Sequence, residues 1–366
     1  MNFKMLTAIA IVAMLTVPMA LASIDADESS GFDITDGMGD TFHFDGPAER
    51  IVSSGYGTTL TIIDAGQKDK IVAADKYSFY ENKNDEKLIG LEATNLGSFY
   101  GTTSDGAILT ELVNMVDEYK TLQKDDPIIL INYDDNLSLR DLLRENDFTK
   151  VLMWGEASSY QTVMDIVRDV SMIVTGTEPE SVLSMEQTIA DIQSGVSGIP
   201  ESERTDALFV WYYSKQFTIG SESIMGSMIE LCGGKNLGYR EGVDRWGSSA
   251  EIVNILESNP DAVVFVNDTY FSSGKTIQDF RDEVLGGDQS IRVVAMDSQW
   301  NNCCPESVDG LVAVSQCLYP EIFGEYDTCE ESGDDGSDFP VAYVAIGIIM
   351  VIAIVAVAVV LMRRKP

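Results

Sequence analysis

The side chains of this chain best suited to hold a ligand are flat aromatic rings and a few cations, set directly after short β-branched runs. Ser54, Tyr56 and Thr58 follow the run at 51–52, Lys76 and Tyr77 follow 71–74, Tyr133 follows 128–131, and Trp154 closes 151–154. A second group lies further along: Tyr212 and Tyr213, then Arg240, Arg245 and Trp246, then Tyr270, and finally Trp300. Rings stack on planar ligands, and guanidinium groups pair with carboxylate or hydroxamate oxygens, so the two groups together could grip a macrocycle or a chelate. Any one of these aromatics could equally pack a loop against the core, and an arginine more often ends in a surface ion pair.

Other chemistries find little to stand on. Proteins that bind bare zinc or manganese need several imidazoles, whereas His43 is the single histidine, set between Phe42 and Phe44 where an exposed strand position suits it. The adjacent pair Cys303-Cys304 is poorly placed to converge on one ion, and a disulfide to Cys317 or Cys329 is the better expectation, with the pairing open. Residues 54–59, Ser-Gly-Tyr-Gly-Thr-Thr, lack the third glycine of a dinucleotide loop. No nucleophile elbow, metalloprotease helix motif or Ser-His-Asp set is present, so a non-enzyme without a resident cofactor or metal is expected. The formal charge of −35 argues against nucleic acid and anionic lipid as partners. Two glycosylation acceptor patterns, at Asn136 and Asn267, are short enough to arise by chance.

The two ends read as targeting and anchoring segments. Lys4, an apolar run and the small residues at 18–22 form a signal peptide, 1–22, cleaved after Ala22. Residues 341–362 are 22 residues without a charge, long enough for a transmembrane helix, and Arg363, Arg364 and Lys365 place the tail 363–366 in the cytoplasm. Residues 327–339 are acidic and without apolar period, which suits a tether. A single-pass membrane protein with an extracytoplasmic binding domain is expected. Without Lys4 and the three tail cations, 20 Lys+Arg face 59 Asp+Glu outside, which suits solubility in a salty exterior.

Between the ends, the pattern predicts an α/β fold of two lobes with central, mostly parallel sheets, joined by one long α-helix. The first lobe, 31–175, opens with a hairpin over 32–44 and alternates strands with helices over 107–119, 137–143 and 160–174. The inter-lobe helix, 176–200, carries an apolar stripe of Val182, Met185, Ile189, Ile192 and Val196 behind a capping box at Thr177 to Glu180. The second lobe, 204–326, repeats the rhythm with strands at 207–211, 262–266 and 291–296, helices over 223–232, 276–285 and 307–318, and a capping box at Ser248 to Glu251.

These pieces, in this order, resemble a known family. The run Ile34-Thr35-Asp36 to Phe42, then Pro47-Ala48-Glu49-Arg50-Ile51-Val52-Ser53, Ala65-Gly66 and Ile71-Val72-Ala73 form the first part. Ile219-Gly220, Cys232-Gly233-Gly234-Lys235-Asn236, Ser249-Ala250-Glu251-Ile252, Asn259-Pro260-Asp261-Ala262-Val263 and the closing Tyr319-Pro320-Glu321-Ile322-Phe323 form the second. The chain resembles the helical-backbone (class III) periplasmic binding proteins, which serve ABC importers of iron siderophores, haem and cobalamin. The resemblance implies capture of a metal chelate between two rims with little hinge motion. It further implies delivery to an ABC permease and its ATPase, docked through one acidic residue on each lobe. Relatives often carry a lipid on an N-terminal cysteine; none follows Ala22, so the C-terminal span would replace it. Residues 95–104 and the Cys303-Cys304 pair fall outside the family pattern. A membrane-anchored receptor or adhesion module using the same fold without transport is the alternative.

Overall fold

A computed structural model describes residues 31–99, 104–131, 136–155, 157–272, 274–297 and 299–326. It opens with the expected hairpin, β1 (Phe32–Thr35) antiparallel to β2 (Thr41–Phe44). The buried Asp36 carboxylate holds the turn, accepting from Met38 N (3.0 Å) and Asp40 N (2.9 Å) with one oxygen and from Met153 N (2.9 Å) with the other. The same side chain therefore shapes the turn and pins it to the lobe behind.

Continuous apolar runs suit strands covered on both faces, and the first lobe uses them in that way. Its strands are β3 (Ile51–Ser53), β4 (Ile71–Ala74), β5 (Thr94–Asn95), β6 (Ile128–Ile131) and β7 (Val151–Trp154). They form a parallel sheet in the order β5-β4-β3-β6-β7. The connecting helices are α1 (Tyr56–Asp64), α2 (Tyr80–Lys83), α3 (Asp105–Asn114) and α4 (Asn136–Glu145). Leu112, Ile108, Leu139 and Leu143 from α3 and α4 pack on Val52, Leu130 and Met153 to make one core. The helix expected over 107–119 is helical throughout, but its last five residues, Met115–Tyr119, form a π turn.

Two helices lead out of this lobe, α5 (Tyr160–Thr175) and α6 (Glu180–Val196). The expected capping box at Thr177 does not form. Pro179 occupies the N-cap position of α6 without a side-chain cap, and Glu178 instead pairs with Arg168 at 3.2 Å.

The second lobe departs from a parallel pattern. Its strands are β8 (Asp206–Tyr213), β9 (Gln216–Gly220), β10 (Lys235–Asn236), β11 (Arg245–Trp246), β12 (Val263–Val266) and β13 (Arg292–Ala295), in the order β11-β9-β8-β12-β13 with β10 alongside β8. β9 and β11 run antiparallel to their neighbours, so this sheet is mixed. Tyr213 pairs with Gln216, leaving a two-residue loop in which Ser214 (φ 51°) and Lys215 (φ 64°) are both left-handed. That geometry usually recruits Asn-Gly, and a Ser-Lys loop gives no such signal. The helices are α7 (Ile224–Leu231), α8 (Ser249–Ser258), α9 (Asp268–Phe271), α10 (Ile277–Val284), α11 (Ser307–Leu318) and α12 (Pro320–Phe323). At α8 the Ser248 hydroxyl turns to the Glu251 carboxylate and caps no backbone N–H, whereas Thr276 and Asp279 make a complete box at α10.

Two expectations are corrected. Among the described residues no helix is long and apolar enough to cross a membrane, and residues 341–362, where the span was placed, lie outside the described residues. The architecture is two α/β lobes, and the transmembrane helix, the single-pass topology and the membrane as partner are not carried further. Cys304 is a buried thiol that points at Gln299 O (3.7 Å) rather than half of a disulfide. The signal peptide, the tether and Cys329 likewise lie outside the described residues.

Replacing Ser214-Lys215 by Asn-Gly is expected to stabilise the second lobe by about 1 kcal/mol, because glycine and asparagine tolerate positive φ. Thermal unfolding followed by circular dichroism should show a midpoint raised by about 2 °C.

Candidate ligand-binding site

Parallel strands place their following loops along one edge, and in open α/β sheets that carboxyl edge is where ligands bind. At the first lobe this edge is built from buried hydroxyls. Ser54 Oγ accepts from Ile131 N (3.0 Å), and Thr58 Oγ1 donates to Gly55 O (2.8 Å). Ser53 Oγ lies 3.1 Å from Thr58 Oγ1 and 2.9 Å from Thr59 Oγ1; Thr59 is 2.7 Å from Ser78 Oγ, which donates to Asp75 Oδ1 at 2.6 Å. Asp75 terminates this network. Burial pushes its carboxyl up to about 6 against the hydrogen bonds from Ser78 and the Gly55 backbone and the charge of Lys83, and its Oδ2 has no hydrogen-bond partner. Ser54 and Thr58 thus hold the start of α1 together.

The loop after β13 closes directly onto α1. A Cβ at Gly57 would lie 2.7 Å from Cys303 N, and Thr61 Oγ1 donates to Cys303 O at 3.1 Å. Tyr56 OH donates to Asp85 Oδ2 (2.6 Å), and Gln299 Nε2 donates to the same oxygen (3.1 Å) from the other lobe. Lys87 pairs with Glu306, and Tyr160 OH lies 3.1 Å from Ser307 Oγ. Tyr56, Leu60 and Leu88 surround Cys304, with Tyr77 packed alongside. The carboxyl edges of the two sheets therefore face one another across a seam.

The other aromatics named from the sequence divide by burial. Tyr270 is fully buried, edge-on to Tyr212 at 5.1 Å, and its hydroxyl donates to Glu283 Oε2 at 3.2 Å. Trp300 is buried against Gly310 and edge-on to Tyr326 at 5.7 Å. Trp154 is buried against Gly37 of the β1–β2 turn. Tyr213, 65% exposed at the tip of the β8–β9 hairpin, and the half-buried Lys76, Tyr77 and Tyr212 are left on the carboxyl edges. Tyr133 lies outside the described residues. Arg240 stacks 3.1 Å from the centroid of Trp246, whose Nε1 donates to Gly238 O (2.7 Å), while Arg245 pairs with Asp244 (3.0 Å) and lies over Trp211. Trp246 pairs with Ile219, which pairs with Val210, so this group sits three residues back from the end of β8.

Charged groups at the seam went unnoticed in the sequence. Lys83 Nζ lies 4.7 Å from the Tyr56 ring centroid, and its charge acts on both Asp75 and Asp268. Burial, reinforced by the neighbouring Asp297, raises the Asp268 carboxyl while Lys83 lowers it. The available signal was position: Asp75 follows β4, Asp268 follows β12 by two residues, and Asp297 follows β13 by two. The acceptor pattern at Asn267 is occupied structurally, since its buried amide accepts from Tyr212 N (2.8 Å) and donates to Tyr212 O (3.3 Å).

Comparisons with known proteins bear on this geometry. No family model and no curated protein matches the chain. Among solved structures, the periplasmic vitamin B12 binding protein BtuF of Vibrio cholerae is 20% identical, with 74% of this chain and 97% of that one covered and a TM-score of 0.53. Helicobacter pylori CeuE in a nickel–histidine complex is 12% identical over 81% of this chain and 91% of that one, with a TM-score of 0.61. The periplasmic haem-binding protein HutB of Vibrio cholerae is 16% identical over 74% and 99%, with a TM-score of 0.53. The chain has the class III-type periplasmic binding-protein fold, as its sequence resemblance implied.

Two outcomes follow. In the unfolded chain Asp75 titrates near 3.8 and in the folded chain near 6. The folded state therefore binds more protons between these values, and stability falls as pH rises through that window. Asp75→Asn should gain on the wild type by on the order of 2–3 kcal/mol between pH 4 and pH 8, measured by denaturant unfolding. Asn267→Ala should cost about 1–3 kcal/mol at any pH by stranding the Tyr212 backbone, with the same measurement as check.

Proposed function

We propose that this protein is the extracytoplasmic substrate-binding component of an ABC importer, capturing a metal chelate of the siderophore, haem or cobalamin kind and presenting it to a permease and its ATPase. The observation that carries this reading is the seam itself: the carboxyl edges of two sheets held face to face within a fold whose solved examples are named as binders of vitamin B12 and haem. Lys76, Tyr77, Tyr212 and Tyr213 are the proposed contacts, because they keep exposed surface on those edges. Tyr270 supports Tyr212 from beneath and Tyr56 lies beside Tyr77, with Ser54 and Thr58 holding the start of α1; Trp154 and Trp300 pack into their own lobes. Arg240, Arg245 and Trp246 belong to a flank of the second lobe, where Arg240 stacks on Trp246 and Arg245 is paired with Asp244. The binding role needs no reacting side chain.

The docking across α1 favours a nearly rigid receptor. A loop held by Thr61, Asp85 and Lys87 at once leaves little room for the lobes to swing. Tryptophan fluorescence titration of the full-length protein with ferric siderophores, haem and cobalamins should give saturable quenching by one class. Tyr213→Ala should weaken that binding by about tenfold, the loss of one stacked ring. Silence across the whole panel from folded protein would refute the capture reading.

A further inference from the structure

The lobes meet through backbone, at Gly57 and Cys303, so a ligand has to reach the seam by movement of something smaller than a lobe. The segment between β4 and β5 is built for such movement. Ser78 ties one end of it into the hydroxyl network and Thr94 joins β4 at the other, but residues 79–93 between them hold only α2 and a short 3₁₀ turn, Glu86–Leu88. Asn84 (φ 54°) and Gly90 (φ 74°) are left-handed within it, and Tyr80 and Ile89 are exposed. A stretch with so little packing of its own opens at lower free energy than the sheet it leaves.

The middle of this strap crosses the seam on three side chains. Asp85 Oδ2 accepts from Gln299 Nε2 of the second lobe (3.1 Å) and from Tyr56 OH (2.6 Å), while its Oδ1 accepts from Lys87 N (2.9 Å). Lys87 pairs with Glu306, and Leu88 clusters with Tyr56, Leu60 and Cys304. Lys83 Nζ stands over the Tyr56 ring, 4.7 Å from its centroid. Tyr56 is thereby left 4% exposed, although it begins α1 on the carboxyl edge where a ring would meet a planar ligand. Lys83 over its ring and Asp85 at its hydroxyl both belong to the strap.

We propose that residues 79–93 form a gate latched by Asp85. When Asp85 releases Gln299, the strap swings off α1 and uncovers Tyr56, with Leu60 and Cys304 beside it, as a stacking surface for a planar chelate. One carboxylate oxygen carries both donors, so its loss frees Tyr56 and the second lobe together. The inference rests on the binding-protein reading and adds the moving part that a receptor with fixed lobes requires. It also returns Tyr56 to the ligand contacts, from which the closed strap withholds it.

Cys304 reports the opening without any ligand. It is fully buried beside Leu88 and burial pushes its thiol up, so it should react only when the strap has left it. The full-length protein is treated with N-ethylmaleimide, and the rate at each cysteine is read by mass-spectrometric fragment sequencing. Gln299→Glu, which sets a second carboxylate against Asp85, should raise the rate at Cys304 about tenfold. Cys232 and Cys317, buried within the second lobe, should keep theirs. Leu88→Ala should act at Cys304 in the same direction. Stopped-flow tryptophan quenching by haem and by cyanocobalamin should show faster association with Gln299→Glu for whichever binds, a gain that misfolding cannot produce. A rate at Cys304 that does not rise, or that rises equally at Cys232 and Cys317, overturns the gate, as does an association rate that the variant leaves unmoved. The two readings fail separately. A protein that binds haem at an unchanged rate in the variant keeps its capture role and loses the gate. One whose Cys304 is unmasked but which binds none of the chelate panel keeps the moving strap and loses the capture role.

Discussion

The approach of the Cys303 backbone to Gly57 is the contact on which the relation between the lobes depends. A glycine within a helix is unfavourable by about 1 kcal/mol relative to alanine, and here the missing side chain is what lets a loop from the far end of the chain lie against α1. Once it lies there, Thr61 can satisfy Cys303 O, Cys304 can enter the pocket of Tyr56, Leu60 and Leu88, and Lys87 can meet Glu306. Any side chain at position 57 would push these groups apart together. The separation of the two carboxyl edges is thus set by backbone contact, which deforms far less than a surface ion pair.

That constraint explains why so much polar chemistry is buried beside it. The turn from β3 into α1 has to be firm for the loop to dock, and the hydroxyls of Ser53, Thr58, Thr59 and Ser78 supply the firmness through hydrogen bonds that end on Asp75. A carboxyl at the end of such a relay is raised by burial and left with one oxygen unmet. In the second lobe the equivalent support is aromatic: Tyr212, Phe217, Tyr270 and Phe280 pack on one another in tilted and edge-to-face pairs beneath the hairpin tip. One rim is therefore stiffened by hydrogen bonds and the other by rings.

The sequence by itself determined the alternation of strands and helices, because buried parallel strands are short continuous apolar runs and helices repeat every three to four residues. It also determined the order of pieces that resembles a binding-protein family, and the lack of histidines for a bare-metal site. It did not reveal the β8–β9 hairpin, since Ser214 and Lys215 adopt left-handed backbone without the residues that usually mark it. Nor could it sort ring from ring. Tyr213 and Tyr270 are the same residue type near the carboxyl end of a strand, yet one is exposed and the other sealed, because what covers a ring comes from other elements. Tertiary structure alone decided that Arg240 and Arg245 stack on tryptophans of their own lobe and that Cys304 stays a thiol. It alone brought Asp75, Lys83 and Asp268 to one seam from loops nearly two hundred positions apart. The physical reason is common to all of these: periodicity is local and legible along the chain, whereas burial and charge pairing depend on groups that meet only when the two edges close.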